Sequence, residues 1–144
     1  MASRLNPYIQ FQDTAQEALT FYQYVLGGEL NVMRFSEFGG PAEIADLVMH
    51  GQLETPAGFT LMASDTPPGM DRAEIGGITI SLSGDDVADL RGWFDGLAEG
   101  GAVNMPLEKQ MWGDVFGQLT DQFGVSWLVN ISGDAAEAAE GVQK

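Results

Sequence analysis

DTAQEALTFYQYVLGGEL, residues 13–30, is the stretch that decides the fold, because the chain spells it twice. Asp13 and Gln16 make a capping-box pattern, and Ala15, Ala18, Leu19, Tyr22 and Leu26 recur at helical spacing before Gly27-Gly28 breaks the run. DVADLRGWFDGLAEGG, residues 86–101, begins 73 positions after Asp13. Asp86 opens it, Val87, Leu90, Phe94 and Leu97 follow at intervals of 3, 4 and 3, and Gly100-Gly101 closes it. The aromatic pair Phe21-Tyr22 of the first run has its counterpart in Trp93-Phe94. Each run follows an alternating apolar segment and precedes others, so one supersecondary unit is used twice.

Working outward, residues 5–11 read as a strand with Leu5, Ile9 and Phe11 on the core side and Tyr8 and Gln10 opposite. Residues 29–35 form the next strand, and 36–46, with Gly39-Gly40-Pro41, a loop suited to covering a cleft. Strands over 47–54 and 59–64 are joined by Thr55-Pro56-Ala57-Gly58, a turn with Pro and Gly where turn geometry wants them. Residues 65–76, with Pro67-Pro68-Gly69, link the halves. In the second half, Ile78, Ile80 and Leu82 alternate with Thr79, Ser81 and Ser83. Strands over 102–107, 115–121 and 125–131 follow its helix, with a hairpin at 110–113. The expectation is an α+β fold of two tandem βαβββ modules: one domain over 1–132, with modules at 5–65 and 77–132. The acidic Ala/Glu tail, 133–144, reads as a frayed helix or disorder.

The chain has 144 residues, a common single-domain size. Six basic against 21 acidic residues, a formal charge of −15, would repel a phosphate backbone, so nucleic acid is not an expected partner. No cysteine is present, which removes thiolate nucleophiles and disulfides and fits a reducing compartment. Neither a signal peptide nor a stretch approaching a membrane span is readable, so a cytoplasmic protein without membrane contact is expected. Gly39-Gly40 and Gly76-Gly77 match neither GxGxxG nor P-loop spacing, so nothing supports a nucleotide or S-adenosylmethionine cofactor.

LNPYIQF (5–11), FTLMASDTP (59–67), ISLSGDD (80–86), LAEGG (97–101), MPLEKQMWGDVFG (105–117) and LTDQFGVSWLVNI (119–131), taken together, resemble the vicinal oxygen chelate superfamily. This is the group of glyoxalase I, bleomycin and fosfomycin resistance proteins and extradiol dioxygenases, and the resemblance is to its PhnB-like branch. It implies paired modules whose mixed sheets curl around a cleft, a small-molecule ligand, and a homodimer. Some relatives are labelled demethylubiquinone methyltransferases, a name these residues do not support.

Metal-dependent members of that superfamily hold a divalent ion with His or Glu on their first, fourth, fifth and eighth strands. Carried onto this chain, those positions fall on Asn6, on Leu61 or Met62 according to register, on Thr79 and on Leu128. Val125, Trp127, Val129 and Ile131 form the core face of the last strand, leaving Ser126, Leu128 and Asn130 for the cleft. Such a set offers neither imidazole nor carboxylate, so no metal and no other cofactor is expected.

His50, the single histidine, lies on the third strand with Val48, Gln52 and Glu54 assigned to its face. It is either a wall residue with hydrogen-bonded ring nitrogens or a general base or ligand partner. Met111, Trp112, Asp114 and Phe116 are either an aromatic-capped turn or the wall of a small-molecule pocket. Tyr8, Gln10, Met62, Ser81, Leu128 and Asn130 would complete that pocket's lining. Asp65, Asp71, Asp85, Asp86, Asp114 and Asp121 read mainly as caps at strand ends and helix starts. Two readings remain open: a metal-free binding module, or a metal-dependent lyase, isomerase or dioxygenase using shifted ligands such as His50 with Glu54, Gln10 or Asp114.

Overall fold

In the computed structural model, which describes residues 3–70 and 76–136, helix α1 (Ala15–Leu26) buries Ala15, Ala18, Leu19, Tyr22 and Leu26, the five positions that the periodicity picks out. Helix α2 (Val87–Ala98) buries Leu90, Phe94 and Leu97. The chain divides into two units, Met1–Glu74 and Ile75–Lys144. No helix among the described residues is long and apolar enough to cross a membrane.

The first unit runs β1 (Tyr8–Phe11), α1, β2 (Glu29–Arg34), β3 (Val48–Glu54), β4 (Thr60–Asp65), with short 3-10 turns at Phe35–Phe38 and Ala42–Ile44 inside the 36–46 loop. The second runs β5 (Thr79–Gly84), α2, β6 (Ala102–Lys109), β7 (Val115–Thr120), β8 (Ser126–Ile131). The sheets share one topology, β1-β4-β3-β2 and β5-β8-β7-β6, with the first two strands of each order parallel and the others antiparallel. The fold is thus α+β with two tandem βαβββ modules.

The repeat extends to details. Gly58 N–H returns to Thr55 O at 3.0 Å and Gly124 N–H to Asp121 O at 3.0 Å. Both turns place their glycine at positive φ, +92° and +89°, where a Cβ would strain the backbone. Beneath each helix a strand glycine makes room: a Cβ on Gly51 would collide with Leu19 Cδ1, and one on Gly117 would lie 2.9 Å from Phe94 Cε2 and 2.9 Å from Leu107 Cα. Leu53, Leu61 and Ala63 pack under α1, and Val115, Leu119, Trp127, Val129 and Ile131 under α2, all buried.

The helix starts differ between modules. Asp86 caps α2 locally, its side chain accepting Asp89 N–H at 3.3 Å. In α1 the N-cap is Thr14 without a side-chain bond, so the expected Asp13–Gln16 box is not formed. Instead the buried Asp65, at the end of β4, accepts Ala15 N–H through Oδ1 and Val48 N–H through Oδ2, both at 2.9 Å. Gln16 turns to Thr20 and to the Arg34 guanidinium. Asp121 does a similar job at the β7–β8 turn, where it accepts Phe123 N–H, Val125 N–H and Trp127 Nε1–H.

Several strand readings shift. Leu5 and Ile78 are 99% and 80% exposed and precede β1 and β5, so neither belongs to a core face. Strand β6 runs on to Lys109, two residues past the expected end, with its ladder broken by irregularities between Val103 and Glu108 around Pro106. The register also shifts between Met33 and Arg34, opposite His50 and Val48. That irregularity turns Val48 inward: it is fully buried, and its Cγ1 lies 3.6 Å from where a Gly51 Cβ would sit on the helix side. Val48 is therefore not on the face of His50. Asp65 belongs to β4 instead of the linker, and Asp71 and residues 137–144 lie outside the described residues. At the edge of the expected tail, Ala136 is buried and its N–H reaches Ser132 O at 2.9 Å.

Candidate functional site

Strand alternation sends one set of side chains under each helix and the other onto the open face of the same sheet. In the first unit the open face is built in rows. Tyr8 pairs with Met62, Met62 with Gln52, and Gln52 with Asn31. Gln10 pairs with Ser64, and His50 with Met33. Leu61 is buried on the helix side, whereas Met62 is half-buried on the open face, so the fourth-strand ligand position falls on Met62.

Tyr8 and His50, on strands separated by β4, meet above it. Tyr8 Oη lies 3.1 Å from His50 Nδ1, and the ring centres are 5.6 Å apart at a tilt of 39°. The residues nearest this couple on the same face, Gln10, Gln52, Met62 and Ser64, are uncharged. The charged side chains of this face, Glu29 and Glu54, are paired at its end row. Asn6 stands outside β1 in an open groove of about 540 Å³ with Arg4, Glu54, Thr55, Phe59 and Thr60.

The second unit repeats the arrangement with other side chains. Thr79, Ser81 and Ser83 of β5 pair with Ser126, Leu128 and Asn130 of β8, and these with Thr120, Gln118 and Phe116 of β7. The hydroxyls of Thr79 and Ser126 are 2.9 Å apart. Asp114, from the hairpin, accepts Asn130 Nδ2–H at 3.0 Å and Gly133 N–H at 2.8 Å. The Asn130 amide first, and then the Gly133 N–H, hold its carboxyl below the usual carboxylate range. Together with Gly84, Asp85 and Ser132, Asp114 and Asn130 line a second open groove of about 430 Å³. Trp112 meets Phe116 edge-on, with ring centres 6.1 Å apart, but is itself 60% exposed, and Met111 is 98% exposed.

The ten nominated residues thus form two sets. Tyr8, Gln10, His50 and Met62 share the open face of the first sheet. Ser81, Phe116, Leu128 and Asn130 share that of the second, with Asp114 and Trp112 attached from the hairpin. Ser64 and Gln118 are additional members that the nomination omits. Their even-numbered parity with Met62 and Phe116 is the signal that finds them.

The metal positions carry an amide at Asn6, a thioether at Met62, a hydroxyl at Thr79 that already bonds Ser126, and an isobutyl group at Leu128. Zinc, nickel and iron want imidazole or carboxylate, so these residues do not fit the superfamily's ion. Among the described residues no group of three His, Asp or Glu is placed to hold one elsewhere.

Comparison with known proteins agrees with this architecture. Protein YjdN of Escherichia coli (strain K12) is 31% identical over 140 residues, covering 88% of this chain and 94% of YjdN. The crystal structure of PA1353 from Pseudomonas aeruginosa superposes with a TM-score of 0.81 at 40% identity, covering 91% of this chain and 98% of that one. A PhnB protein from Bacillus cereus, provisionally labelled a 3-demethylubiquinone-9 3-methyltransferase, shares the fold with a TM-score of 0.72 at 22% identity, over 90% of this chain and 100% of its own. The family model that matches residues 4–129 places the assignment beyond the fold alone: the chain belongs to the Glyoxalase/Bleomycin resistance protein/Dioxygenase superfamily.

Proposed function

We propose that this protein binds a small, partly apolar molecule on its open sheet faces without the divalent ion usual in its superfamily, as a cytoplasmic homodimer. The observation that supports this most is the chemistry of the former ligand positions: Met62 and Leu128 put a thioether and an isobutyl group where a metal site needs strong donors. Around them lie amides, hydroxyls and aromatic rings, a mixture suited to an uncharged organic ligand. Shifted ligands such as His50 with Glu54 are disfavoured, because Glu54 stands four residues along β3 from His50, about 13 Å at strand rise.

The test is a thermal-shift screen on chelator-treated protein, with a panel of divalent ions in one arm and uncharged aromatic and heteroaromatic molecules in the other. A ligand at 100 times its Kd stabilises the native state by about 2.7 kcal/mol. The expected result is stabilisation by members of the organic panel with the chelator still present, and none by the ions. Metal analysis finding a tightly held ion in each chain, or stabilisation only by ions, overturns the proposal.

A further inference from the structure

We infer that Tyr8 and His50 form a proton-accepting couple for a neutral ligand that carries a weakly acidic hydroxyl, a phenol or an enol, and that holds it as its oxyanion against the open face of the first sheet. The inference rests on the binding function proposed above and names the ligand chemistry.

The couple is built across three strands. Tyr8 of β1 and His50 of β3 lean toward each other over β4, 3.1 Å apart at Oη and Nδ1, with Met62 and Ser64 beneath. Tyr8 is 46% exposed, so the couple is open to a ligand. Using Nδ1 for Tyr8 leaves Nε2 for that ligand, and no other protein group among the described residues bonds it. The tyrosine hydroxyl both donates and accepts, so it follows His50 through either protonation state. The tautomer that can take the ligand's proton carries its hydrogen on Nδ1, donated to Tyr8 Oη, and leaves Nε2 bare; with Nδ1 bare and accepting from Tyr8, the hydrogen sits on Nε2 and blocks the step.

Charge selects the ligand. The chain carries −15, which disfavours an anionic ligand on approach. A cationic ligand would want a carboxylate, but the nearest on this face, Glu54, stands four residues along β3 from His50, about 13 Å at strand rise. Glu29 is paired opposite Glu54 at the same end of the sheet. Arg34 of β2 directs its guanidinium to Gln16 of α1 and to Asp46 O. What remains around His50 is Gln10, Gln52, Met33, Met62 and Ser64, whose amides and hydroxyl donate or accept without taking a proton. The His50 imidazole is the one side chain among them with a ring nitrogen that can take a proton.

A molecule that arrives neutral and still makes use of a base is a weak acid. Its O–H bond breaks, the proton goes to Nε2, Nδ1–H donates to Tyr8 Oη, and the electron pair stays on the ligand oxygen. The result is an imidazolium beside an oxyanion with no change in total charge. Tyr8 is a positioning residue in this step and His50 the acceptor.

The probe is para-nitrophenol, whose ionised form absorbs at longer wavelength than the neutral phenol, with para-nitroanisole as the analogue lacking the proton. The medium is held near pH 6, where free para-nitrophenol is mostly neutral. Both are titrated with the full-length protein and with variants whose melting curves match it. The expected result is a phenolate band that grows with binding, is lost in His50→Gln while neutral para-nitrophenol still binds, and falls about fivefold in Tyr8→Phe, the worth of one hydrogen bond. Binding of para-nitrophenol without the band, or a band that survives in His50→Gln, overturns the inference while leaving small-molecule binding intact. Binding of para-nitroanisole alone does the same. Binding of neither overturns the inference, and the organic panel described above then decides separately whether the binding function stands.

Discussion

Asp65 Oδ1 accepts the Ala15 N–H at 2.9 Å across 50 residues of chain, so the first helix is capped by the end of the last strand of its own module. The same carboxylate holds Val48 N–H with its other oxygen. One buried side chain therefore fixes the start of α1, the start of β3 and the end of β4.

Replacing Asp65 by Ala strands two buried amides. The expected loss is about 2–4 kcal/mol of unfolding free energy. Asp65→Asn, which keeps one acceptor oxygen, loses roughly half as much. Urea denaturation with an unchanged m-value checks both, and an Asp65→Ala protein as stable as the parent contradicts the capping role.

The glycines beneath the helices differ in what surrounds them. Gly117→Ala pushes a methyl against the Leu107 backbone and the Phe94 ring, which yield little, and is expected to cost about 1–3 kcal/mol. Gly51→Ala clashes only with the end of the Leu19 side chain and with no backbone, and is expected to cost less. The order of the two thermal midpoints is the measurement.

Asp114 carries a pH dependence with a definite sign. Its folded carboxyl titrates below the ordinary value of 3.8, mainly because of the Asn130 amide. The stability it confers is therefore present above that ordinary value and is lost as pH falls through the lower folded one. Asn130→Ala moves the Asp114 carboxyl resonance in an NMR titration up toward the ordinary range. In Asp114→Asn this contribution to acid sensitivity disappears from the denaturation profile.

Asp89 behaves in the opposite way, being raised above 3.8 by a side-chain hydrogen bond with Asp86 and then by its charge. The folded state thus holds the Asp89 proton more tightly, and folding gains as pH drops through the raised value. Asp86→Asn retains an N-cap acceptor and returns Asp89 to the ordinary range, whereas Asp86→Ala removes the cap at a cost of about 1 kcal/mol. NMR titration of Asp89 and the melting temperatures separate the two effects.

Both helices were legible because their apolar positions recur at 3.6 residues, from Ala15 to Leu26 and from Leu90 to Leu97. The face of β8 was equally clear, since Val125, Trp127, Val129 and Ile131 alternate without interruption. The reading failed where a contact is distant or the phase slips. Asp13 looked like a cap because capping boxes are local patterns, while the real cap lies 50 residues away. Val48 changed sides because a ladder irregularity at Met33 and Arg34 is not written in β3 itself. The site shows the same division. Tyr8 and His50 were each nominated, but their meeting depends on the strand order β1-β4-β3, which alternation alone does not specify.

The two caps also differ in when the growing polypeptide supplies them. Asp86 leaves the ribosome just ahead of the helix it serves, so α2 has its terminal acceptor from the outset. For α1 the acceptor is Asp65, which emerges only after three further strands have been synthesised. The nascent amino-terminal module therefore waits for its own last strand before its first helix is secured, and a stall or truncation upstream of Asp65 leaves that helix unsecured and its apolar stripe open to chaperones and proteases.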